Sequence, residues 1–247
     1  MHGSLLVRCG QIVIIASAPM DNQQVSQTLK GIFERLMAGY GPQYWWPAKE
    51  PFEVMVGAIL TQSAAWGNAE KAITNLKKAQ VLSPEALRRL DLSEVARLIY
   101  PSGYYNAKAL KLGSLARWFG EYCDDDVGEL SAGSTTEIRR QLLSIHGIGP
   151  ETADSILLYA VGRPIFVIDA YTRRIFGRIG LTLDDNSYAA YQALFMDNLA
   201  TDVGLFNEYH ALLVRLGKDV CRKKPRCLKC CLGSICQFSR ASSQTIS

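Results

Sequence analysis

The 247-residue sequence has no stretch long and apolar enough to span a membrane, little strand-like alternation and almost no excess of one charge. The first absence argues against a helical membrane span, since a bilayer core needs about 20 consecutive apolar residues. The second argues against sheet-built architectures, whose strands alternate apolar and polar positions with period two. The third, a net charge of only +4, means that a nucleic-acid partner must be argued from where the basic residues lie rather than from their total. Residues 1–19 carry LLV and IVII and end in Ala16-Ser17-Ala18, a faint imitation of a secretory signal. Arg8 and Gln11 break the apolar run, so residues 1–22 read as a disordered extension. Asp124-Asp125-Asp126 lacks the spaced oxygen ligands of a calcium loop and reads as a solvated turn.

What is present is apolar residues, 48% of the chain, at helical spacing. Leu29, Ile32, Phe33 and Leu36 give one helix over residues 25–39, and Pro51 opens another through Val54, Val56, Ile59 and Leu60. Further helices are predicted over 69–76, 84–90, 93–99 and 109–119, with short polar breaks. The fold expected is all-α. Tyr44-Trp45-Trp46-Pro47 is a compact aromatic cluster before the second helix. Adjacent tryptophans cannot share one side of a helix, so one is expected in the core and the other can line a cleft.

Seven cysteines are unevenly placed. Cys221, Cys227, Cys230 and Cys236 form C-x5-C-x2-C-x5-C with Cys231 alongside, whereas Cys9 and Cys123 stand alone. Four thiols in one short loop either hold a metal or pair as disulfides; a basic chain with this pattern favours metal and a reducing, cytoplasmic setting. Spacing alone leaves zinc open, since four-cysteine tetrahedral sites are common. Lys218, Arg222, Lys223, Lys224, Arg226 and Lys229 crowd the same loop, which suits a surface pinned by metal and facing phosphates.

Residues 142–178, LLSIHGIGPETADSILLYAVGRPIFVIDAYTRRIFGR, organise the rest. An amphipathic segment ends at Ile145, Gly147 and Gly149 form a turn, and Pro150 suits a first helical position. Ala153, Ile156, Leu157 and Ala160 then fall on one face of the second helix. A helix that begins after such a turn presents unpaired N–H groups to an anion such as a DNA phosphate, directly or through a bound monovalent cation. The apolar run 165–168 leads to Asp169 at the mouth of the next helix, where an N-cap carboxylate contributes about 1 kcal/mol.

On these residues the sequence resembles the helix-hairpin-helix DNA glycosylases of the endonuclease III superfamily. The resemblance implies that Gly147 and Gly149 lie in the hairpin that grips DNA and that Asp169 is catalytic. It also implies that Gln62 fills the gap left by an extruded base and that Tyr104, in Ser102-Gly103-Tyr104-Tyr105-Asn106-Ala107-Lys108-Ala109, is a second wedge. The cysteine pattern resembles the 4Fe-4S loop of that family with one residue fewer in the first gap, so Cys231 competes as a ligand. In the family this loop pins basic residues such as Lys223 and Lys224 against DNA. Bifunctional members have a lysine where this chain has Glu151, and Glu151 cannot form an imine, so a monofunctional glycosylase without lyase activity is expected.

Trp45-Trp46-Pro47, Trp66, Glu151-Thr152-Ala153-Asp154 and Asp169-Ala170-Tyr171-Thr172-Arg173-Arg174 are similar to the 3-methyladenine branch, implying a base pocket of Trp45, Trp46, Pro47, Trp66 and Glu151. The implied organisation is a six-helix barrel with the hairpin over 44–162, a helical iron–sulfur domain from 23–43 plus 163–238, and a tail over 239–247. Asp169 and Glu151 would face the cleft between the two. The expected function is hydrolytic removal of an alkylated purine such as 3-methyladenine. Alternatives are thymine or uracil in G mismatches, oxidised pyrimidines, or a non-catalytic zinc-stabilised DNA-binding module. The expected partner is double-stranded DNA containing a damaged base, met by a monomer in the cytoplasm, on the nucleoid in a prokaryote.

Overall fold

The computed structural model describes residues 21–244 apart from 47, 49 and 182–184. Most of the expected extension, Pro47 of the expected pocket and the last residues of the expected tail therefore lie outside the described residues. Helix α1 (Asn22–Tyr40) starts at a capping box, in which Asp21 accepts from the Gln24 N–H at 2.8 Å and the Gln24 side chain accepts from the Asp21 N–H at 3.1 Å. The end of the predicted extension is thus a helix start. The expected tail is likewise helical to Gln244, as α13 (Gln237–Gln244).

Residues 44–162 hold eight helices among the described residues rather than six: α2 (Pro51–Leu60), α3 (Trp66–Lys78), α4 (Pro84–Arg89), α5 (Leu92–Leu98), α6 (Tyr105–Cys123), α7 (Val127–Ala132), α8 (Thr135–Ser144) and α9 (Pro150–Tyr159). Three of them have only six or seven residues. The acidic turn has more structure than a solvated loop. Asp125 pairs with Arg88 at 2.6 Å, and Asp126 accepts from the Gly128 N–H to start α7. After α9 come α10 (Ala170–Ile179), α11 (Tyr188–Met196) and α12 (Val203–Asp219). Among the described residues there is no strand, and no helix is long and apolar enough to cross a membrane.

Helix α2 is the hub. Eight of its ten residues are buried, and it packs on α3, α6 and α9. The N-terminal helix α1 crosses to the far part of the chain and packs on α12, where the Tyr209 hydroxyl donates to the Leu29 carbonyl at 2.9 Å. Between α9 and α10 the run 165–168 is extended and buried, its Phe166 ring stacked on Phe195 at 3.8 Å between centroids. This segment carries Asp169 to the interior. Its position is braced by Gln192, which donates both to the Phe166 carbonyl and to Asp154. Asp154, fully buried, also receives two hydrogen bonds from Arg139 at 2.6 and 3.1 Å. Removing one partner of such a buried pair typically costs about 3 to 5 kcal/mol, so this network fixes how the hairpin helix α9 meets the Asp169 segment.

Candidate active site

Glycine is needed in the hairpin at one position more than at the other. Gly147 has φ +81°, and a Cβ there would lie 2.4 Å from the Lys111 side chain that crosses over it. Gly149 is extended, with nothing within 4 Å of a Cβ placed on it, so that point of the hairpin opens outward. Ile148, between them, is buried and anchors the turn. Gln62, just after α2, is tied to this hairpin: its amide donates to Thr152 Oγ1 at 2.9 Å and to the Gly147 carbonyl at 3.2 Å, while Lys111 Nζ donates to its Oε1 at 2.6 Å.

Tyr104 stands 74% exposed at the N-cap of α6 with φ +47°. The turn behind it is joined to the end of α2 by Lys108, a buried lysine whose ammonium donates to the Leu60 carbonyl at 2.8 Å and the Ser102 carbonyl at 2.7 Å. Burial, with a smaller contribution from nearby Lys111, pulls Lys108 down to about 8. The structure therefore links the Gln62 and Tyr104 loops through one buried cation.

A cavity of about 210 Å³ lies where α2, α3, α9, α10 and α12 converge, and Trp45, Trp46, Trp66, Glu151 and Asp169 all line it. Residues 45 and 46 are not helical, so the expectation that only one tryptophan faces the cleft does not hold. The three indoles pack on one another at 5.1 to 5.3 Å between centroids. Trp46 sits in a slot made by Gly57 of α2, where a Cβ would lie 2.7 Å from the ring. Tyr171 also lines the cavity, against Gly217 of α12.

Asp169 is 8% exposed at the N-cap of α10. Its Oδ1 accepts from the Thr172 N–H at 2.7 Å and the Thr172 hydroxyl at 2.8 Å. Its Oδ2 lies 3.7 Å from His210 Nε2, beyond hydrogen-bond length. Burial pushes the Asp169 carboxyl up, but His210 and the two Thr172 donors outweigh it and hold the group below its ordinary value. Glu151, exposed at the cavity edge, is pushed the other way, by desolvation first and by the Asp169 charge second. The two carboxyl groups on one cavity are thus shifted in opposite directions.

His210 and Tyr159 were not singled out from the sequence. His210, Val214 and Lys218 line the cavity from one face of α12 at i, i+4, i+8 spacing, a pattern visible in the sequence. Nothing local announces what that face meets.

The cysteine loop follows α12. Arg178, at the far end of the helix capped by Asp169, donates to Cys221 Sγ at 3.2 Å and to the Arg222 and Lys223 carbonyls. Cys236 Sγ is 3.3 Å from the Arg178 carbonyl. Burial pushes the Cys230 thiol up to about 11, with the Cys231, Cys221 and Cys236 sulfurs adding to it. Cys231 turns toward α1, where a Cβ on Gly39 would lie 3.1 Å from its own. Among the described residues no three His, Cys, Asp or Glu side chains converge closely enough to hold a single metal ion. The donor set of four thiols in one loop still suits a larger, thiolate-held cluster. Lys223, Lys224 and Leu228 are exposed on the loop.

A helical body, a glycine hairpin and a carboxylate set in an aromatic cavity define the class, that of base-excision DNA repair proteins. Residues 56–201 match the model of the HhH-GPD superfamily base excision DNA repair proteins, and the chain belongs to that family. It is 42% identical over 206 residues to MJ1434 of Methanocaldococcus jannaschii, provisionally named a DNA repair glycosylase, covering 83% of this chain and 94% of that one. Among solved structures, the 3-methyladenine DNA glycosylase MagIII of H. pylori, bound to 1,N6-ethenoadenine, matches at 26% identity with a TM-score of 0.65. That match covers 81% of this chain and 98% of MagIII. A non-covalent endonuclease III–DNA complex matches at TM-score 0.76 and 18% identity, over 89% of this chain and 98% of that one. The second match speaks to the fold alone.

Proposed function

We propose that the protein is a monofunctional DNA glycosylase that extrudes a damaged base from double-stranded DNA and hydrolyses its N-glycosidic bond. The observation that carries this reading is Asp169, ionised and buried in the lining of the aromatic cavity, with Oδ1 committed to Thr172 and Oδ2 left without a hydrogen bond 3.7 Å from His210 Nε2. As the glycosidic bond breaks, its electron pair leaves with the base and positive charge develops on the sugar. The Asp169 carboxylate offsets that charge and orients or deprotonates the water that adds to the sugar carbon. Glu151 occupies the place of an imine-forming lysine and cannot form a covalent bond to the sugar in that way. The abasic strand is left intact.

In this reading Trp45, Trp46 and Trp66 receive the extruded base, Gln62 and Tyr104 hold the emptied stack open, and Gly147 and Gly149 let the hairpin approach a phosphate, with or without a monovalent cation. Lys223 and Lys224 contact the backbone. Cys221, Cys227, Cys230 and Cys236 hold a 4Fe-4S cluster that supplies loop structure and no chemistry to the reaction. Support comes from the thiols neighbouring Cys230 and from the Arg178 cation on Cys221.

For the base, we favour an alkylated purine such as 3-methyladenine. Such a base is a cation in the nucleoside, and three indoles offer stacking of about 1 to 3 kcal/mol per base plus a cation–π contribution of about 0.5 to 2 kcal/mol. One observation supports a second reading, removal of uracil or thymine from G mismatches. Lys218 lines the cavity and offers an ammonium donor to a neutral carbonyl. A panel of duplexes with different damaged bases, followed by alkali to reveal abasic sites, decides between them. Release of 3-methyladenine above uracil or thymine opposite G is the expected result, and the reverse order would replace the first reading by the second.

A further inference from the structure

His210 is buried, with 6% of its surface exposed, at the base of the cavity. Its Nδ1 is 2.5 Å from the Tyr159 hydroxyl, and its Nε2 has no hydrogen-bond partner. Tyr159 is partly buried, and desolvation, then the charges of Asp169 and Glu208, push its hydroxyl well above the ordinary range, so it keeps its proton. With its proton kept, the hydroxyl donates to its one hydrogen-bond neighbour, Nδ1. Nδ1 is therefore the acceptor, and the ring hydrogen sits on Nε2. That N–H is a buried donor whose nearest acceptor is Asp169 Oδ2, 3.7 Å away, the oxygen that Thr172 leaves uncommitted.

We infer that His210 is a positioning residue for Asp169: Tyr159 fixes its tautomer so that Nε2–H faces Oδ2 and holds the carboxylate ionised and aimed at the cavity. The inference rests on the reading of Asp169 as the catalytic carboxylate. It also joins the base pocket to the catalytic group, since the Trp46 ring lies 5.5 Å from the Tyr159 ring on the other side of the relay. Other charged or titratable groups face this assembly: Glu151 from α9, Arg173 from α10, and Glu208 and Lys218 from α12. Of these, Glu151 is the one whose titration could be mistaken for that of Asp169.

The test is the pH dependence of single-turnover base release, measured with full-length protein at saturating enzyme, alongside duplex affinity and thermal unfolding. Tyr159→Phe removes the hydroxyl and keeps the ring against Trp46. His210→Gln removes the imidazole and keeps a side-chain N–H donor. His210→Phe removes both nitrogens. A donor to the ionised form of a carboxylate lowers its pKa. The acid limb should accordingly move to higher pH most in His210→Phe, less in Tyr159→Phe, and least in His210→Gln. The rate deficit should shrink as pH rises above the limb. A role in packing alone would lower the rate equally at every pH. If the limb stays fixed in folded His210→Phe and Tyr159→Phe, or vanishes in Glu151→Gln, the inference is overturned. Full activity of Asp169→Asn would instead overturn the reading of Asp169 on which it rests.

Discussion

Asp169 combines two roles that pull on the same side chain. As N-cap of α10 it uses one oxygen to satisfy the Thr172 N–H, and the other is left for the cavity. Asn keeps an oxygen acceptor for the cap and removes the charge. Asp169→Asn should therefore unfold near the parental temperature while losing base release by at least about a hundredfold, as for loss of one electrostatic transition-state contact. Parental turnover in that variant would remove Asp169 from the chemistry. The neighbouring Glu151 gives a second expectation, that borohydride added during turnover traps no covalent protein–DNA adduct; efficient trapping would mean that another amine attacks the sugar. Both carboxyl groups were legible in the sequence because each stands at a fixed distance from the hairpin. His210 and Tyr159 were not, since they meet Asp169 only when α12 packs against α9 and α10.

At the scale of elements, helix positions followed from apolar spacing, and the errors lie at the ends. Capping extends α1 to Asn22, and α6 begins at Tyr105 rather than at 109. The turn before α6 is positioned by Lys108, which the sequence reading leaves in the loop ahead of the helix. Its two carbonyl partners lie at the end of α2 and in the turn before Tyr104, so Lys108→Met should leave both unpaired in the interior. Hydrogen bonds to a charged group contribute about 1.5 to 3 kcal/mol, which makes a loss of stability of several kcal/mol the expected result of thermal unfolding. The variant also carries a pH signature. Burial depresses Lys108 from 10.5 to about 8, so between those values the unfolded chain holds a proton that the folded chain has released. This residue adds stability as pH rises through that window and withdraws it as pH falls toward 8. Unfolding temperatures of parent and variant should draw further apart from about pH 8 to about pH 10.5; a constant gap would assign Lys108 to packing alone.

For the whole molecule, α10 joins the two halves of the proposed function. Asp169 caps its first turn in the cavity, and Arg174 and Arg178 on the same helix hold the cysteine loop by the Cys221, Arg222 and Lys223 carbonyls. Loss of whatever the thiols bind should then be felt as loss of folded protein. Cys227→Ser is expected to lack iron and visible absorbance and to unfold at lower temperature, because metal-linked binding energy is folding energy. A colourless parent containing zinc would replace the iron–sulfur assignment.

The same loop sets the last expectation, because a net charge of +4 spread over 247 residues is too small to hold DNA without local concentration. Lys223 and Lys224 are exposed, and the Arg222 and Lys223 carbonyls just before and at this pair are held by Arg178, so the ammonium groups are carried on a braced loop rather than a free tail. Each lysine that neutralises a phosphate releases a counterion, and the logarithm of affinity then falls with the logarithm of salt by about 0.9 per contact. Replacing both with Ala should weaken damaged and undamaged duplexes alike and reduce that slope by about two. The rate of base release at saturating enzyme should stay unchanged, since neither residue lines the cavity. An unchanged slope with intact folding would move the DNA-facing surface away from the cysteine loop and toward the hairpin and the two wedge loops.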